Sequence, residues 1–251
     1  MAKVSGLGAA LWASGLDISG DVGSVSKIGS PITQLDVTGI DKYAHERLNG
    51  KRESVLDFQA FFDPGTAGVA NSLGTHAALS ALPTSDIVLT CSPTPPVLGA
   101  PVVSMVAKQL DYPAARGADG SLTFAVPTVG NAYGLEWGQL ATAGKRTDTA
   151  ATVGAAIDDG AATNFGLQAY LQVFAFTGTS CTVNITHCAT SGGVYTTLAS
   201  FAAATAIGGQ RIAVSNTTTV LQFIKITTTG TFNPCTFAVQ YTRNTVAGTT
   251  F

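Results

Sequence analysis

Apolar and polar side chains alternate with a period of two through much of this 251-residue chain, and that period is typical of half-buried β-strands. In residues 54–62, for example, Leu56 and Phe58 fall on one face, and Asp57 and Gln59 fall on the other. The same criteria predict further strands in the first part of the chain at residues 15–20, 31–38, 86–91, 101–110, 121–126 and 133–138. A mainly β fold with antiparallel sheets follows from this pattern.

One segment of the first part has a helical period instead. The apolar residues of segment 67–82 fall near one face, and Pro83 would end the helix. The Asp119-Gly120 pair predicts a hairpin turn before the strand at 121–126. One helix against six or more strands predicts an α+β first domain, in which the helix packs on an antiparallel sheet.

The second part of the chain predicts a β-sandwich. Its strands are predicted at residues 166–177, 182–188, 210–215, 221–228 and 236–243, with glycine turns at 192–193, 208–209 and 230. The alternation predicts two inward-facing sets, Val183 and Ile185 in one strand and Phe237, Val239 and Tyr241 in another.

Charge divides the chain into the same two parts. Residues 1–148 hold ten of the thirteen Lys and Arg residues and thirteen of the fifteen Asp and Glu residues. The Thr-, Ala- and Gly-rich segment after Asp148 is typical of a linker. We therefore predict a first domain at 1–148, a linker at 149–163 and a C-terminal domain at 164–251.

The composition favours association over catalysis. Only 11% of the residues are charged and the formal net charge is −2, against roughly 25% charged residues in ordinary soluble domains. Such a surface is poorly protected against association with other protein. Every apolar run stops short of the roughly 18 residues that a spanning helix needs, and the start of the chain lacks the apolar core of an export signal.

No catalytic, metal or cofactor motif is present in the sequence. None of the three histidines, His45, His76 and His187, belongs to a recognisable catalytic arrangement. Basic residues are too few and too dispersed for a nucleic-acid groove. The four cysteines, without an export signal, are expected to be reduced thiols that fill the core, and they are Cys91, Cys181, Cys188 and Cys235.

Residues 41–53 form the most highly charged segment, with charges of both signs between two predicted strands. Two interpretations remain open: a solvated hairpin loop, or a protruding arm whose charges fit a neighbouring copy. The residues of this candidate arm that would make the contact are Asp41, Lys42, His45, Glu46, Arg47, Lys51, Arg52 and Glu53.

Four motifs together resemble a known family. Residues 15–22 read Gly-Leu-Asp-Ile-Ser-Gly-Asp-Val and residues 35–42 read Leu-Asp-Val-Thr-Gly-Ile-Asp-Lys. After the charged segment come Leu-Asp-Phe at 56–58 and His-Ala-Ala-Leu-Ser-Ala-Leu-Pro at 76–83. Over residues 10–145 the chain resembles the major tail proteins, or tail tube proteins, of long-tailed bacteriophages that infect actinobacteria.

The resemblance implies a tail-tube-like antiparallel β-sandwich or barrel with one packed helix, followed by a C-terminal β-sandwich on the tube exterior. Copies would form rings, usually of six, that join their inner sheets around a channel and stack into the tube through which DNA passes. The partners would be further copies and other tail proteins, with no membrane and no cofactor. The protein would be assembled in the host cytoplasm and would belong to the virion.

Easy passage of DNA requires a neutral or acidic channel wall, because fixed cations bind phosphate. Strand parity predicts that the residues facing the channel are Gln34, Asp36, Thr38, Asp57, Gln59 and Thr123. The residues predicted to be buried beneath the helix are Leu35, Val37, Leu56, Phe58, Leu122 and Phe124. The arm of residues 41–53 would contact the adjacent ring.

Two other functions fit a neutral, β-rich chain: a capsid decoration or cement protein, and a carbohydrate-binding or adhesion module that acts through the C-terminal domain. Sugar sites usually present an exposed Trp or Tyr beside polar groups. Trp12 and Trp137 both fall in the predicted first domain, which disfavours a sugar site in the second. An enzyme ranks behind both, since no group of residues supports one.

Overall fold

The computed structural model describes residues 5–65, 74–82 and 84–246. Within them the protein is mainly β, which confirms the predicted fold class, and one short helix, α1, spans Thr75–Leu79. The strands in chain order are β1 Ala10–Ala13, β2 Leu16–Asp17, β3 Val22–Gly29, β4 Ile32–Asp36, β5 Arg47–Arg52, β6 Val55–Phe61, β7 Ile87–Ser92, β8 Pro101–Gln109, β9 Ala114–Arg116, β10 Leu122–Val126, β11 Thr128–Gly130, β12 Glu136–Leu140, β13 Arg146–Asp148, β14 Val153–Asp158, β15 Leu167–Cys188, β16 Thr196–Ser200, β17 Gly208–Val214 and β18 Phe223–Arg243. No helix in these ranges is both long and apolar enough to cross a membrane.

The chain forms two compact units, and neither is one continuous stretch. Unit 1 comprises residues 1–20, 87–104 and 136–251, and unit 2 comprises residues 21–86 and 105–135. This division differs from the predicted sequential domains. The predicted linker contains β14, which pairs with β18, as do β12 and β13 from the predicted first domain. Val153 and Ile157, the β-branched residues of β14, suit a paired strand.

Unit 1 is built on two long antiparallel strands, β15 of 22 residues and β18 of 21 residues. They pair along nearly their whole length, with register shifts between Val173 and Ser180. The sequence predicted two shorter strands in place of each. Gly230, predicted as a turn, lies inside β18, where a Cβ atom would come within 2.3 Å of the Ser180 carbonyl oxygen. Gly230 therefore allows the backbone of β15 to approach β18 closely, and the chain does not turn there.

The core of unit 1 lies on one face of these strands. The predicted inward residues are confirmed: Val183, Ile185, Phe237 and Val239 are fully buried, and Tyr241 is 1% exposed. They pack in one cluster with residues of β14 and the loops 201–204 and 220. Each such side chain contributes about 1.5–3 kcal/mol on full burial, so this cluster stabilises unit 1.

The opposite face of β15 is also buried, although it carries polar side chains. Gln172 is 1% exposed; its Oε1 accepts from the Gly15 amide at 2.7 Å, and its Nε2 donates to the Val88 carbonyl at 2.9 Å and to Thr90 Oγ1 at 3.1 Å. Gly15 has a φ of 84°, and a Cβ there would meet the Val173 carbonyl at 2.2 Å. One glutamine therefore joins β15 to β7 and to the turn between β1 and β2 by direct hydrogen bonds.

Unit 2 contains a four-stranded sheet in the order β3-β6-β10-β9, and all of its pairs are antiparallel. One face is buried, which confirms the predicted burial of Leu56, Phe58 and Phe124; Leu122 is half-buried. On this side the His76 ring of α1 lies 5.6 Å from the Phe124 ring. The helix packs on the sheet as predicted.

The helix is shorter than predicted. It ends at Leu79, and Leu82 has a positive φ of 46°, which lies outside the helical range. Residues 66–73 and 83, which include the first part of the predicted helix, lie outside the described residues.

Candidate assembly surface

Strands β4 and β5 form a two-stranded hairpin in unit 2. Ile32 lies opposite Arg52 and Asp36 lies opposite Arg47 in the register, and the Glu53 amide donates to the Pro31 carbonyl at 3.0 Å at the base. Among the described residues neither strand pairs with any other strand. The hairpin is therefore a separate arm, and part of the predicted charged loop is strand β5.

The two faces of the hairpin differ in chemistry. Leu35 lies opposite Leu48 on one face, which Val37 extends, and these side chains are 51%, 57% and 46% exposed. Gln34 lies opposite Asn49 on the other, polar face. The prediction that Leu35 and Val37 are buried beneath the helix was wrong, because β4 pairs with β5 and not with the four-stranded sheet. An exposed apolar face of this kind is typical of a protein interface.

The tip of the hairpin is ordered by its own polar groups. Asp36 accepts hydrogen bonds from Thr38, and its Oδ2 lies 2.9 Å from His45 Nδ1. These bonds, those of Thr38 first, lower the pKa of the Asp36 carboxyl. Lys42 lies 3.5 Å from Glu46. Because these side chains pair within the tip, it presents a defined shape to its surroundings.

Two large side chains of the tip project fully into solvent. Ile40 and Tyr43 show the highest exposures among the large apolar residues of the described chain, 110% and 108%. Strand β5 carries three basic residues, Arg47, Lys51 and Arg52. None of them forms an ion pair with a described carboxylate. All eight predicted contact residues of the arm are exposed. The arm thus offers both apolar area and unpaired positive charge.

The exposed face of the four-stranded sheet is mostly neutral. Gln59 Nε2 donates to Thr123 Oγ1 at 3.2 Å across β6 and β10, and Asp57 shares their face at partial exposure. Lys27 of β3 lies opposite Asp57 in the register. The structure does not bring the six predicted channel residues onto one sheet. Three of them, Asp57, Gln59 and Thr123, lie on the four-stranded sheet. The other three lie on the hairpin or beside its tip, and they are Gln34, Asp36 and Thr38.

The four-stranded sheet has two free edges within the described residues, β3 and β9. Residues 23–27 of β3 and all of β9 are exposed. Unpaired edges are templates for pairing with another chain. Strand β3 was missed by the sequence analysis, because an extra residue in β3 between Val22 and Ser24, and another between Val25 and Lys27, interrupt its period of two.

The described residues contain no group of three or more metal-binding side chains. All four cysteines are buried and free, as expected of core-filling thiols. His187 Nδ1 accepts from the Leu221 amide at 3.2 Å, and burial lowers the pKa of this histidine. Sequence reasoning also missed two buried polar groups in unit 1, which no local motif marks: Glu136 with Tyr170 and Arg211, and Asp159 with Tyr241 and Arg243.

No protein-family model and no curated protein matches this chain. Among solved structures, the chain is similar to the Dit (gp 19.1) protein of phage SPP1, described as a paradigm of the hub adsorption apparatus in phages that infect Gram-positive bacteria. The identity is 13% and the TM-score 0.32, over 96% of this chain and 100% of that chain. It is also similar to the phage p2 baseplate in its activated conformation with Sr, at 9% identity and a TM-score of 0.34, over 95% and 99% of the two chains. Likenesses this distant establish neither a shared fold nor a function.

Proposed function

We propose that this chain is a structural protein of a phage tail, and that its copies associate through unit 2 into stacked rings that form the tail tube. The observation that carries the proposal is the β4–β5 hairpin, whose apolar face is exposed. The sequence resemblance over residues 10–145 suggests which assembly the hairpin serves. We propose a structural role rather than a catalytic one.

The apolar face of the hairpin requires a partner, and a second copy is the partner we propose. Unit 2 itself exposes apolar side chains that could receive the hairpin, namely Phe62 at 41% and Leu110 at 59%. A contact between two different surfaces of identical copies repeats from copy to copy, so it closes into a ring or propagates as a filament. Both outcomes occur in a tube of stacked rings.

Charge favours the same partner. Arg47, Lys51 and Arg52 of the arm lack carboxylate partners among the described residues, whereas Asp111 and Asp119 of unit 2 are exposed and form no ion pair there. Opposite charges at the edge of an interface fix register and suppress wrong partners. With a net charge of only −2, the copies repel one another weakly.

The sheet edges would complete the ring. Pairing of β3 in one copy with β9 in the next would satisfy backbone groups that are unpaired in the single chain. The exposed sheet face would then line the channel with Asp57, Gln59 and Thr123. Lys27 would be the exception, and Asp57, its neighbour in the register, would offset its charge. We therefore assign the channel to this sheet and the hairpin to contacts between copies.

Removal of the hairpin tests the proposal. Because the Pro31 carbonyl and the Glu53 amide are hydrogen-bonded at 3.0 Å, residues 32–52 can be replaced by two glycines without separating β3 from β6. Sedimentation velocity at rising concentration should show large assemblies for the full chain and only monomers for the variant, with similar melting temperatures. Equal assembly of both proteins would contradict the proposal. A full chain that stays monomeric or trimeric at high concentration would favour a capsid decoration protein.

A further inference from the structure

Unit 1 contains an open groove of about 420 Å³ that the proposed assembly does not use. The groove lies between the ends of β12 and β18 and the segment after β14. Its volume falls within the roughly 300–1,000 Å³ of typical small-molecule sites. The lining residues that matter below are Trp137, Gln139, Asp159, Thr163, Tyr241 and Arg243.

One wall of the groove carries an exposed tryptophan. Trp137 is 52% exposed, although the large apolar ring of tryptophan is usually well buried. Gln139, two residues on and therefore on the same side of β12, lies opposite Tyr241 in the register. The predicted domain boundary had separated Trp137 from Tyr241, whereas the fold places both in one groove.

The polar side of the groove is held rigidly. Asp159 accepts from the Tyr241 hydroxyl at 3.0 Å, from Arg243 Nη1 at 2.8 Å and from Gln139 Nε2. The side chains of Asp159 and Arg243 are only 10% and 8% exposed. Because Asp159 neutralises Arg243, the groove has no net charge to attract a free anion. A neutral ligand with hydroxyl groups fits these contacts better.

Two buried polar atoms of the lining have no partner. Thr163 Oγ1 and Arg243 Nε form no hydrogen bond within the described residues. A buried polar atom without a partner destabilises the fold, so such atoms are uncommon in stable proteins. Here one hydroxyl and one N–H donor lie in the lining of the same groove as the exposed indole. Since Thr163 and Arg243 both line the groove, ligand hydroxyl groups that reach these two atoms would satisfy them.

We infer that this groove binds a saccharide, with one sugar ring stacked on Trp137 and its hydroxyl groups hydrogen-bonded to Thr163 and Arg243. A sugar ring presents an apolar face of C–H groups and a rim of hydroxyl groups. The first suits an indole ring, and the second suits neutral or neutralised polar groups. The inference does not depend on tube assembly, since the groove is built entirely within unit 1.

The test is binding of the full-length protein to a glycan array, followed by fluorescence titration with the best-bound free oligosaccharide. Trp137→Ala should weaken binding by about tenfold or more, and Thr163→Val, which keeps the shape of the side chain, should weaken it several-fold. Tyr43→Ala is the matched control: it removes an aromatic ring that is also exposed, but from the hairpin, and it should leave saccharide binding unchanged.

Three results would overturn the inference: an array without any bound saccharide, equal affinity for wild type and Trp137→Ala, or an equal loss of affinity in Tyr43→Ala. Melting temperatures of all variants establish that each is folded. The hairpin-deleted protein should still bind the saccharide, so failure of this inference and failure of the proposed assembly are distinguishable.

Discussion

The hairpin contact predicts that a double substitution, Leu35→Thr with Leu48→Thr, blocks assembly while the single chain stays folded. The two leucines face each other across β4 and β5 and contact no core, since they are 51% and 57% exposed. Threonine is as suitable for a β-strand as leucine. The change therefore removes apolar area while preserving the hairpin.

The magnitude follows from the exposed fractions. Full burial of a leucine is worth about 1.5–3 kcal/mol, so two leucines that are each about half exposed would gain together about 1.6–3 kcal/mol per contact, or about 15–150-fold in dissociation constant. Threonine retains one methyl group, so the variant should lose most of this free energy of association. Because each copy in a ring makes the contact, the losses accumulate around the ring.

Sedimentation velocity over a concentration series measures the effect. The matched control is Gln34→Thr with Asn49→Thr, on the polar face of the same two strands, and it should assemble as the wild type does. If the leucine variant assembles at the same concentration as the control, the apolar face of the hairpin is not an interface and the reasoning fails.

Three further predictions concern unit 1. Gln172→Leu should lower the free energy of unfolding by at least about 1–3 kcal/mol in a denaturant titration, because it leaves the buried Gly15 amide without an acceptor; an unchanged value would contradict the structure. Burial opposes ionisation of Asp17, but hydrogen bonds from Lys145 and Ser19 outweigh it and hold the pKa of Asp17 below 3.8. The resulting stability is present above that pH and is lost as the pH falls through the lowered pKa, so Asp17→Asn should melt below wild type at neutral pH, with a difference that shrinks in acid. Finally, a thiol reagent at mildly alkaline pH should label no cysteine before unfolding and four after it, because all four are buried and burial raises the pKa of Cys91 to about 11; labelling of the native protein would contradict their burial.

The sequence predicted correctly those strands in which apolar and polar residues alternate and one face is buried. Leu56 and Phe58 alternate with polar residues and lie on the buried face of their sheet, and Val183 and Ile185 behave in the same way in β15. In each case one face of the strand meets a core, so the alternation in the sequence reports the burial directly.

The predictions that were wrong concern features that depend on which strands pair with each other, and the alternation of residues along one strand does not record this. Leu35 follows the same alternation as Leu56, but its strand joins a separate hairpin, and no local pattern records which strand it pairs with. The two units each combine distant stretches of chain, so a change of composition near residue 149 did not mark a boundary. The groove at Trp137 depends on β12 pairing with β18, about a hundred residues later.

Cryo-electron microscopy of the concentrated full-length protein tests most directly whether copies join through unit 2. We expect rings or tubes in which the apolar face of each β4–β5 hairpin lies against a neighbouring copy and the face bearing Gln59 and Thr123 lines the channel. Particles that remain single chains, or assemblies in which Leu35 and Leu48 stay exposed to solvent, would contradict the account.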